Sequence, residues 1–380
     1  MFFKDIPGQA ELADRLRKSV HDQRVSHAQL FAGPEGCGNL AMALAYARYI
    51  SCQSRTPEES CGTCPSCVKY GKLIHPDLHF VFPIFRTKRF SDPVCDNYLP
   101  EWRSLIQSVP FFSLNDWLEA IEVENAQAII YAAEASEILR KLSLKTYEAE
   151  YKIMIIWLPE KMHQTAANKL LKLVEEPPDK TLFLLVSEEP DRIIPTILSR
   201  CQLVKFKGVG DGDVASYIAG RFSLTPRKAN EIAHISNGNL VRAISLSANA
   251  GDSAGDSADD LEGFRLLMRH AWKRDIAALS EWADTMAATG REAQKSFLTY
   301  CLGIIRGNFI MNLTNGSPEL TFMTPAETEF SSKFYPYVNE KNIERLYDEF
   351  NKAHYHIESN GNARIIFLDL SLQVLRCIKT

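Results

Sequence analysis

A chain of 380 residues exceeds the roughly 250–300 residues over which one hydrophobic core usually grows, so two or three domains are expected. With 46% hydrophobic residues, 24% charged residues and a formal net charge of −4, the composition is globular and argues against a freestanding nucleic-acid binder held by a basic surface. No apolar run approaches the about 18 residues a membrane helix needs, and Met1–Asp5 lacks the apolar core of a signal peptide. A cytoplasmic protein with no membrane partner is expected.

In chain order, an amphipathic helix comes first, with Leu12, Leu16 and Val20 on one face. His27–Phe31 then reads as a short strand, Gly33–Gly38 as a glycine-rich turn, and the residues from Asn39 to Ile50 as a helix. This is the layout of a phosphate-cradling loop, in which backbone N–H groups and a helix N-terminus surround a triphosphate. Gly33, Gly36 and Gly38 suit the turn. Asn39 stands where a lysine would neutralise the β- and γ-phosphates, however, and Leu40 where a hydroxyl would hold Mg²⁺. Neither bound ATP nor Mg²⁺ is expected there, although backbone N–H groups could still hold an anion.

The nine cysteines of the chain include Cys52, Cys61, Cys64 and Cys67, spaced C-x8-C-x2-C-x2-C. Tetrahedral Zn²⁺ needs four converging ligands, and four cysteines with no open position read as a structural site. Unpaired thiols or a redox C-x-x-C are the alternatives, with His75 a rival fourth ligand. Cys37, Cys95, Cys201, Cys301 and Cys377 are scattered and read as small apolar residues.

Leu78–Phe82 reads as a strand, followed over 83–125 by a long irregular insertion. Its aromatics (Phe85, Phe90, Trp102, Phe111, Phe112 and Trp117) are expected to pack locally. A helix is expected from about Ala126 to Thr146. Tyr151–Ile156 and Thr181–Val186 are continuous apolar runs, as in strands buried on both faces of a parallel sheet. In a phosphate-loop ATPase acids follow such a strand, one for Mg²⁺ and one to polarise water; here Trp157 and Leu158 follow the first run, and Glu160 lies too far along. A helix from Gln164 ends at Pro177-Pro178. Ser199-Arg200-Cys201 precedes a short strand, Gln202–Phe206. Alternation of strands and helices up to residue 207 indicates α/β layers. Beyond it the pattern is helical: 214–222, 226–236, a helix carrying Arg242, then 264–272, 276–288, 291–313, 342–358 and 363–378. Ser247–Asp260 has the composition of a flexible acidic linker.

Taken together, His27–Phe31, the four-cysteine module after the loop's helix, Ala166–Lys172, Glu175–Pro178 and Ser199–Cys201 resemble the AAA+ clamp-loader family of bacterial DNA polymerase III. The resemblance spans roughly 1–245; the helical remainder matches only by its place. It implies an α/β plus all-α fold: an AAA+ parallel-sheet domain over 1–207, with a zinc module at about 52–67 and the insertion at about 83–125. A helical lid over 208–247, a linker over 248–261 and a helical collar over 262–380 would complete it.

Clamp loaders of this family are rings that open a sliding clamp and place it on primer–template DNA, with ATP at subunit interfaces. The resemblance implies that Arg200 is an arginine finger acting in trans on a neighbour's ATP, with Ser199 and Cys201 fixing its loop. An ion pair at the end of the sheet is the structural alternative. It also implies that Ser187 and Arg242 occupy the places of the family's two sensor residues, vestigial where no nucleotide binds. The implied partners are gamma/tau-like motor subunits and the delta subunit, with clamp and DNA reached through the complex. An accessory subunit without ATPase activity of its own is expected. An active gamma/tau-type ATPase would need lysine at position 39 and acids at 157–158. A zinc-containing nucleic-acid-binding module would show salt-sensitive DNA affinity.

Overall fold

The computed structural model describes residues 1–86, 92–122, 128–248, 256–318 and 320–378. They divide into two compact units, Met1–Val123 with Ala128–Ser247 in one and the chain from Ala248 onward in the other. The stretch expected to form a separate lid, 208–247, belongs to the first unit.

The first unit opens with α1 (Ala10–His21), β1 (Ala28–Ala32), α2 (Asn39–Ile50), α3 (Pro65–Gly71) and β2 (Leu78–Val81). It continues through α4 (Leu99–Ser108), α5 (Leu114–Ala120), α6 (Ala132–Ser143), β3 (Lys152–Trp157), α7 (Gln164–Glu175), β4 (Thr181–Ser187), α8 (Pro195–Leu198) and β5 (Gln202–Lys205). The five strands form one parallel sheet in the order β2-β3-β4-β1-β5. Every residue of β1, β3 and β4 is buried, which is why these strands read as unbroken apolar runs. The edge strand β5 instead exposes Gln202, Leu203 and Lys205, and polar residues at an edge discourage pairing with another chain. Helix α2 is buried along its whole length. In open α/β sheets ligands bind beyond the carboxyl ends of the strands, and the glycine-rich turn leaves β1 at that end.

The insertion is not irregular. It contains α4 and α5, and it builds an aromatic core on the sheet. Trp102, fully buried, stacks on Phe82 at 4.2 Å and meets Trp117 edge-on at 5.1 Å. Phe112 and Trp157 approach the same ring at 5.6 and 5.2 Å. Trp117 donates its indole N–H to Pro83 O at 2.8 Å. Local packing, as expected of these aromatics, is what the described ones do; Phe90 lies outside the described residues. The helix expected over 126–146 is shorter, Ala132–Ser143, with 126 and 127 outside the described residues. The last carbonyls of a helix need partners, and the buried Lys152 ammonium supplies them, donating to Lys141 O and Leu142 O at 3.1 and 3.2 Å and to Leu144 O.

Three helices close this unit: α9 (Asp211–Phe222), α10 (Pro226–Ser236) and α11 (Leu240–Ala248). The second unit is helical throughout: α12 (Asp256–Lys273), α13 (Ile276–Ala288), α14 (Arg291–Leu313), α15 (Pro325–Phe334), α16 (Ile343–Glu358) and α17 (Ala363–Cys377). Its core gathers Phe264, Leu267, Trp282, Phe297, Phe350 and Phe367.

Two expectations are corrected here. The acidic linker, expected over 248–261, is helical from Asp256. Residues 249–255 lie outside the described ones, and Asp259 and Asp260 stand near the start of α12, where the helix dipole favours carboxylates. Helix α15 was not expected. Its start is a capping box, Thr324 Oγ1 accepting from Glu327 N at 3.3 Å while the Glu327 carboxylate accepts from Thr324 N at 2.7 Å, with Pro325 in the first turn.

Because Trp102 joins five other aromatic rings, Trp102→Ala is expected to cost about 3–5 kcal/mol, as large aromatic truncations in cores do. Urea denaturation followed by circular dichroism should show an earlier transition for the sheet unit and an unchanged one for the helical unit.

Candidate functional site

The glycine-rich turn between β1 and α2 is held on three sides by the chain's own groups. Gly38 caps α2 with φ of +86°, a backbone state that costs glycine nothing. Asn39, the residue in the lysine position, is buried and faces inward. Its Nδ2 donates to Ser187 O at 3.3 Å and its Oδ1 accepts from Leu40 N at 2.9 Å. The same Ser187 carbonyl accepts from Gly33 N at 3.2 Å. Ser187 Oγ, in the expected first-sensor place, has no hydrogen-bond partner among the described residues.

From a second side, Gln9 Nε2 donates to Cys37 O at 2.9 Å and to Lys207 O at 3.0 Å. This one amide ties the N-terminal segment, the turn and the chain beyond β5 together. From the third side comes Asn239, just ahead of α11. Its Nδ2 donates to Glu35 Oε1 at 3.0 Å, its Oδ1 accepts from Arg242 N at 3.1 Å, and Leu240 N donates to Gly36 O at 3.1 Å. A Cβ on Gly36 would stand 2.0 Å from Asn239 Oδ1, so only glycine admits this approach. Arg242 enters the site through its backbone N–H; Leu40 is buried.

The charge around this turn is negative. Burial raises the Glu35 carboxyl above its ordinary value; the Asn239 hydrogen bond opposes this, and Asp116 of α5 adds to it. Glu188, next after β4, is raised to about 8, first by burial and then by Glu35 and Glu160, with Lys161 opposing. Glu160 Oε1 accepts from Glu188 N at 2.9 Å and Glu189 N at 3.1 Å. Glu160 thus shapes the exit of β4, a role its sequence position did not reveal. A triphosphate placed here would face these carboxylates with no lysine in the position of Asn39, and like charges repel most where water is excluded.

Arg200 lies at the end of the short α8. Its Nη2 meets Glu175 Oε1, the last residue of α7, at 2.6 Å, with side chains 39% and 38% exposed. Its Nη1 donates to Thr196 O at 2.9 Å and Ser199 Oγ at 3.1 Å. These partners hold the guanidinium at the surface and none of them contacts the glycine-rich turn. Ser199 Oγ donates to Thr196 O at 3.1 Å. The Cys201 thiol is pushed up to about 11 by burial, as befits a packing residue rather than a nucleophile.

Cys52, Cys61 and Cys64, between α2 and α3, come together with Cys67 in the first turn of α3, their sulfurs all within 4.8 Å of one another. Cys61 Sγ and Cys67 Sγ are 3.9 Å apart, close to the about 3.8 Å edge of a tetrahedron with Zn–S bonds near 2.3 Å. Backbone N–H groups of Cys61, Cys64 and Cys67 donate to the sulfurs of Cys52, Cys61 and Cys64 at 3.3–3.4 Å, an arrangement that favours thiolate. The N–H groups of Cys64 and Thr63 bring the Cys61 thiol down to about 6, whereas burial raises Cys52 and pushes Cys67 up to about 12. The set could therefore hold a metal. His75 is placed elsewhere: its Nδ1 accepts from Asp77 N at 3.1 Å and its Nε2 faces Glu148 Oε1 at 3.1 Å. The module packs against the Phe2 ring, 2.9 Å from where a Cβ on Gly62 would sit, and Arg48 covers that ring at 4.0 Å.

A family model described as "DNA polymerase III, delta subunit" matches residues 8–210, more than half of the chain. The chain belongs to this clamp-loader family. It is 29% identical to the DNA polymerase III subunit delta′ of Bacillus subtilis over 63% of this chain and 60% of that one. To the Bacillus subtilis subunit tau it is 25% identical over 67% of this chain and 38% of that one. It thus spans 60% or less of the length of these relatives. A crystal structure of a DNA polymerase III gamma-subunit-related protein from Thermotoga maritima aligns over 96% of this chain and 99% of its own, with 14% identity and a TM-score of 0.39. The fold is the expected α/β plus all-α arrangement, a parallel five-stranded sheet domain followed by helices. Among the described residues, no helix is long and apolar enough to cross a membrane.

Sequence reasoning missed Glu35 within the turn, and Gln9, Glu188 and Asn239, which come to it from elsewhere in the chain; it set aside Glu160, which holds the exit of β4. Only Asn239 left a local signal, an asparagine three residues before the N–H it caps.

The raised Glu188 carboxyl gives a pH dependence with a definite sign. Its folded-state value, about 8, lies above its ordinary 4.5, so the folded state holds a proton the unfolded chain has released. Stability is therefore full below pH 4.5 and declines as pH rises toward 8. Glu188→Gln is expected to raise the melting temperature at pH 8 and to leave it nearly unchanged at pH 5, read by calorimetry across that range.

Proposed function

We propose that the chain is a non-hydrolysing, delta′-like subunit of a bacterial DNA polymerase III clamp loader. It would assemble with gamma/tau-like motor subunits and a delta subunit to place a sliding clamp on primed DNA. Its contribution to catalysis is Arg200, offered in trans to ATP bound by a neighbour.

The observation that carries this reading is the contrast between the two places where phosphate chemistry could occur. The turn at 33–38 has its asparagine hydrogen-bonded inward and carboxylates around it, so it lacks the cation that phosphoryl transfer requires. Arg200, by contrast, is a half-exposed guanidinium on a surface loop, and its planar fork matches phosphate oxygens bidentately. The pair with Glu175 gives Arg200 a resting position from which it can be drawn. Exposed ion pairs of this kind contribute only about 0–1 kcal/mol, little against a triphosphate. The match to delta′ supports the assignment of the whole chain, and the helical unit from Ala248 onward is assigned the collar role.

Zn²⁺ is assigned to Cys52, Cys61, Cys64 and Cys67. Bound there it would supply cross-linking rather than catalysis, since four thiolates complete its shell. Residues 52–67 are too few to bury a core of their own, and metal binding is then folding energy for the module.

Reconstitution with motor and delta subunits tests the finger. Arg200→Ala should lower DNA- and clamp-stimulated ATP turnover by at least tenfold, toward the about 10³-fold seen for fingers elsewhere, with the melting temperature unmoved. Glu175→Gln, which frees the guanidinium, should keep turnover at or above wild type. Unchanged turnover in Arg200→Ala would leave only the surface ion pair. For the metal, elemental analysis should find one zinc ion per chain, and Cys64→Ser should lose it and lower the melting temperature of the sheet unit.

A further inference from the structure

The helical unit carries a groove between two of its helices. Helix α12 presents residues at the spacing i, i+3, i+4, i+7, i+8 from Arg265, the spacing of a single helical face. Opposite it, Phe330, Lys333, Phe334 and Tyr337 come from α15 and the single turn after it. Between the two walls is a cavity of about 310 Å³ that opens to solvent and is also lined by Ile378.

The floor and the rim differ in chemistry. Met268 and Phe334 are buried at the floor, while Trp272 and Tyr337 remain 43% and 40% exposed. The rim carries Arg265, Arg269, Lys273 and Lys333, against the single carboxylate of Glu329. Arg265 is engaged with Glu262 at 3.4 Å and lies over the Phe330 ring at 5.6 Å. Among the described residues no carboxylate comes within ion-pair range of Arg269, Lys273 or Lys333. In a chain of net charge −4, four cations against one carboxylate around an apolar slot form a local inversion of the charge balance.

We propose that this groove docks an acidic peptide carrying apolar or aromatic side chains, the apolar groups filling the slot between α12 and α15 and the carboxylates meeting its cationic rim. Grooves between helices take such segments by apolar anchors, with charge fixing direction and partner choice. Single-stranded nucleic acid would meet the same cations, but it needs open ring faces on which bases stack. Here the rings are used on one another. Phe330 stacks on Phe334 at 5.0 Å with Arg265 also against it, Trp272 meets Tyr337 at 4.8 Å, and Phe334 lies 6.0 Å from Tyr337. What is left between them is a slot for side chains.

The full-length chain is titrated against a fluorescein-labelled peptide of aspartates alternating with phenylalanine and leucine, and binding is read by anisotropy. Saturable micromolar binding is expected. It should weaken about tenfold in Arg269→Glu and in Lys333→Glu, both at exposed positions whose folding circular dichroism checks, and it should fall with added salt. A control peptide with serine in place of the apolar residues should bind at least tenfold more weakly. Equal binding of the serine peptide would overturn the proposal in favour of charge alone. Displacement by oligothymidylate with the same sensitivity to the two variants would overturn it in favour of nucleic acid. No saturation by 100 μM peptide, or sedimentation showing self-association that the two variants abolish, would overturn it as well, the latter in favour of a second copy of this chain.

Discussion

The hydrogen bond from Asn39 Nδ2 to Ser187 O is the contact on which the character of the sheet domain turns. A lysine at this position would carry a charge that must reach solvent or phosphate, because an unpaired buried ammonium costs too much to keep. An asparagine can stay inside. Its amide satisfies the carbonyl at the end of β4, its oxygen accepts from the Leu40 amide in the first turn of α2, and the turn becomes a packed joint between two strands. Gln9 and Asn239 then close over it from the two flanking segments. The glycines remain essential for this, since Gly36 admits Asn239 only because it has no side chain.

The aromatic insertion belongs to the same change. Trp157, at the end of β3, packs against Trp102 and Phe112 of the insertion. A carboxylate in that place would be buried among aromatic rings, whereas tryptophan extends the core and contributes the dispersion and apolar burial that large rings provide. Asp116, from the same insertion, adds its negative charge toward Glu35. The insertion therefore acts on the turn twice, through packing at the end of β3 and through the field near Glu35.

Charge in this domain is displaced outward. Carboxylates gather around the turn, where burial and mutual repulsion hold Glu35 and Glu188 above their ordinary range. The guanidinium of Arg200 sits at the surface on Glu175. In the proposed reading this division lets the subunit contribute a cation to a neighbour while its own loop serves as structure. The cysteine cluster and the Phe2–Arg48 contact brace the far end of α2, so the buried helix is fixed at both ends.

Several of these features were legible in the residues alone. The buried strands showed as apolar runs because both faces of a parallel sheet are covered. The cysteine cluster showed because two C-x-x-C pairs in tight turns bring their sulfurs together over a few residues. The glycine spacing showed the turn. These are local properties, decided within a few bonds of the residues that carry them. The partners of Asn39, the closure by Gln9 and Asn239, the acids at Glu35, Glu160 and Glu188, and the seat of Arg200 on Glu175 were decided only when the chain folded. Each joins segments tens to hundreds of positions apart, and hydrogen bonds and fields act through space with no periodicity to announce them. The insertion misread as irregular follows the same rule: its short helices are stabilised by the rings they bury against the sheet, and tertiary packing, more than propensity, is what makes helices of that length persist.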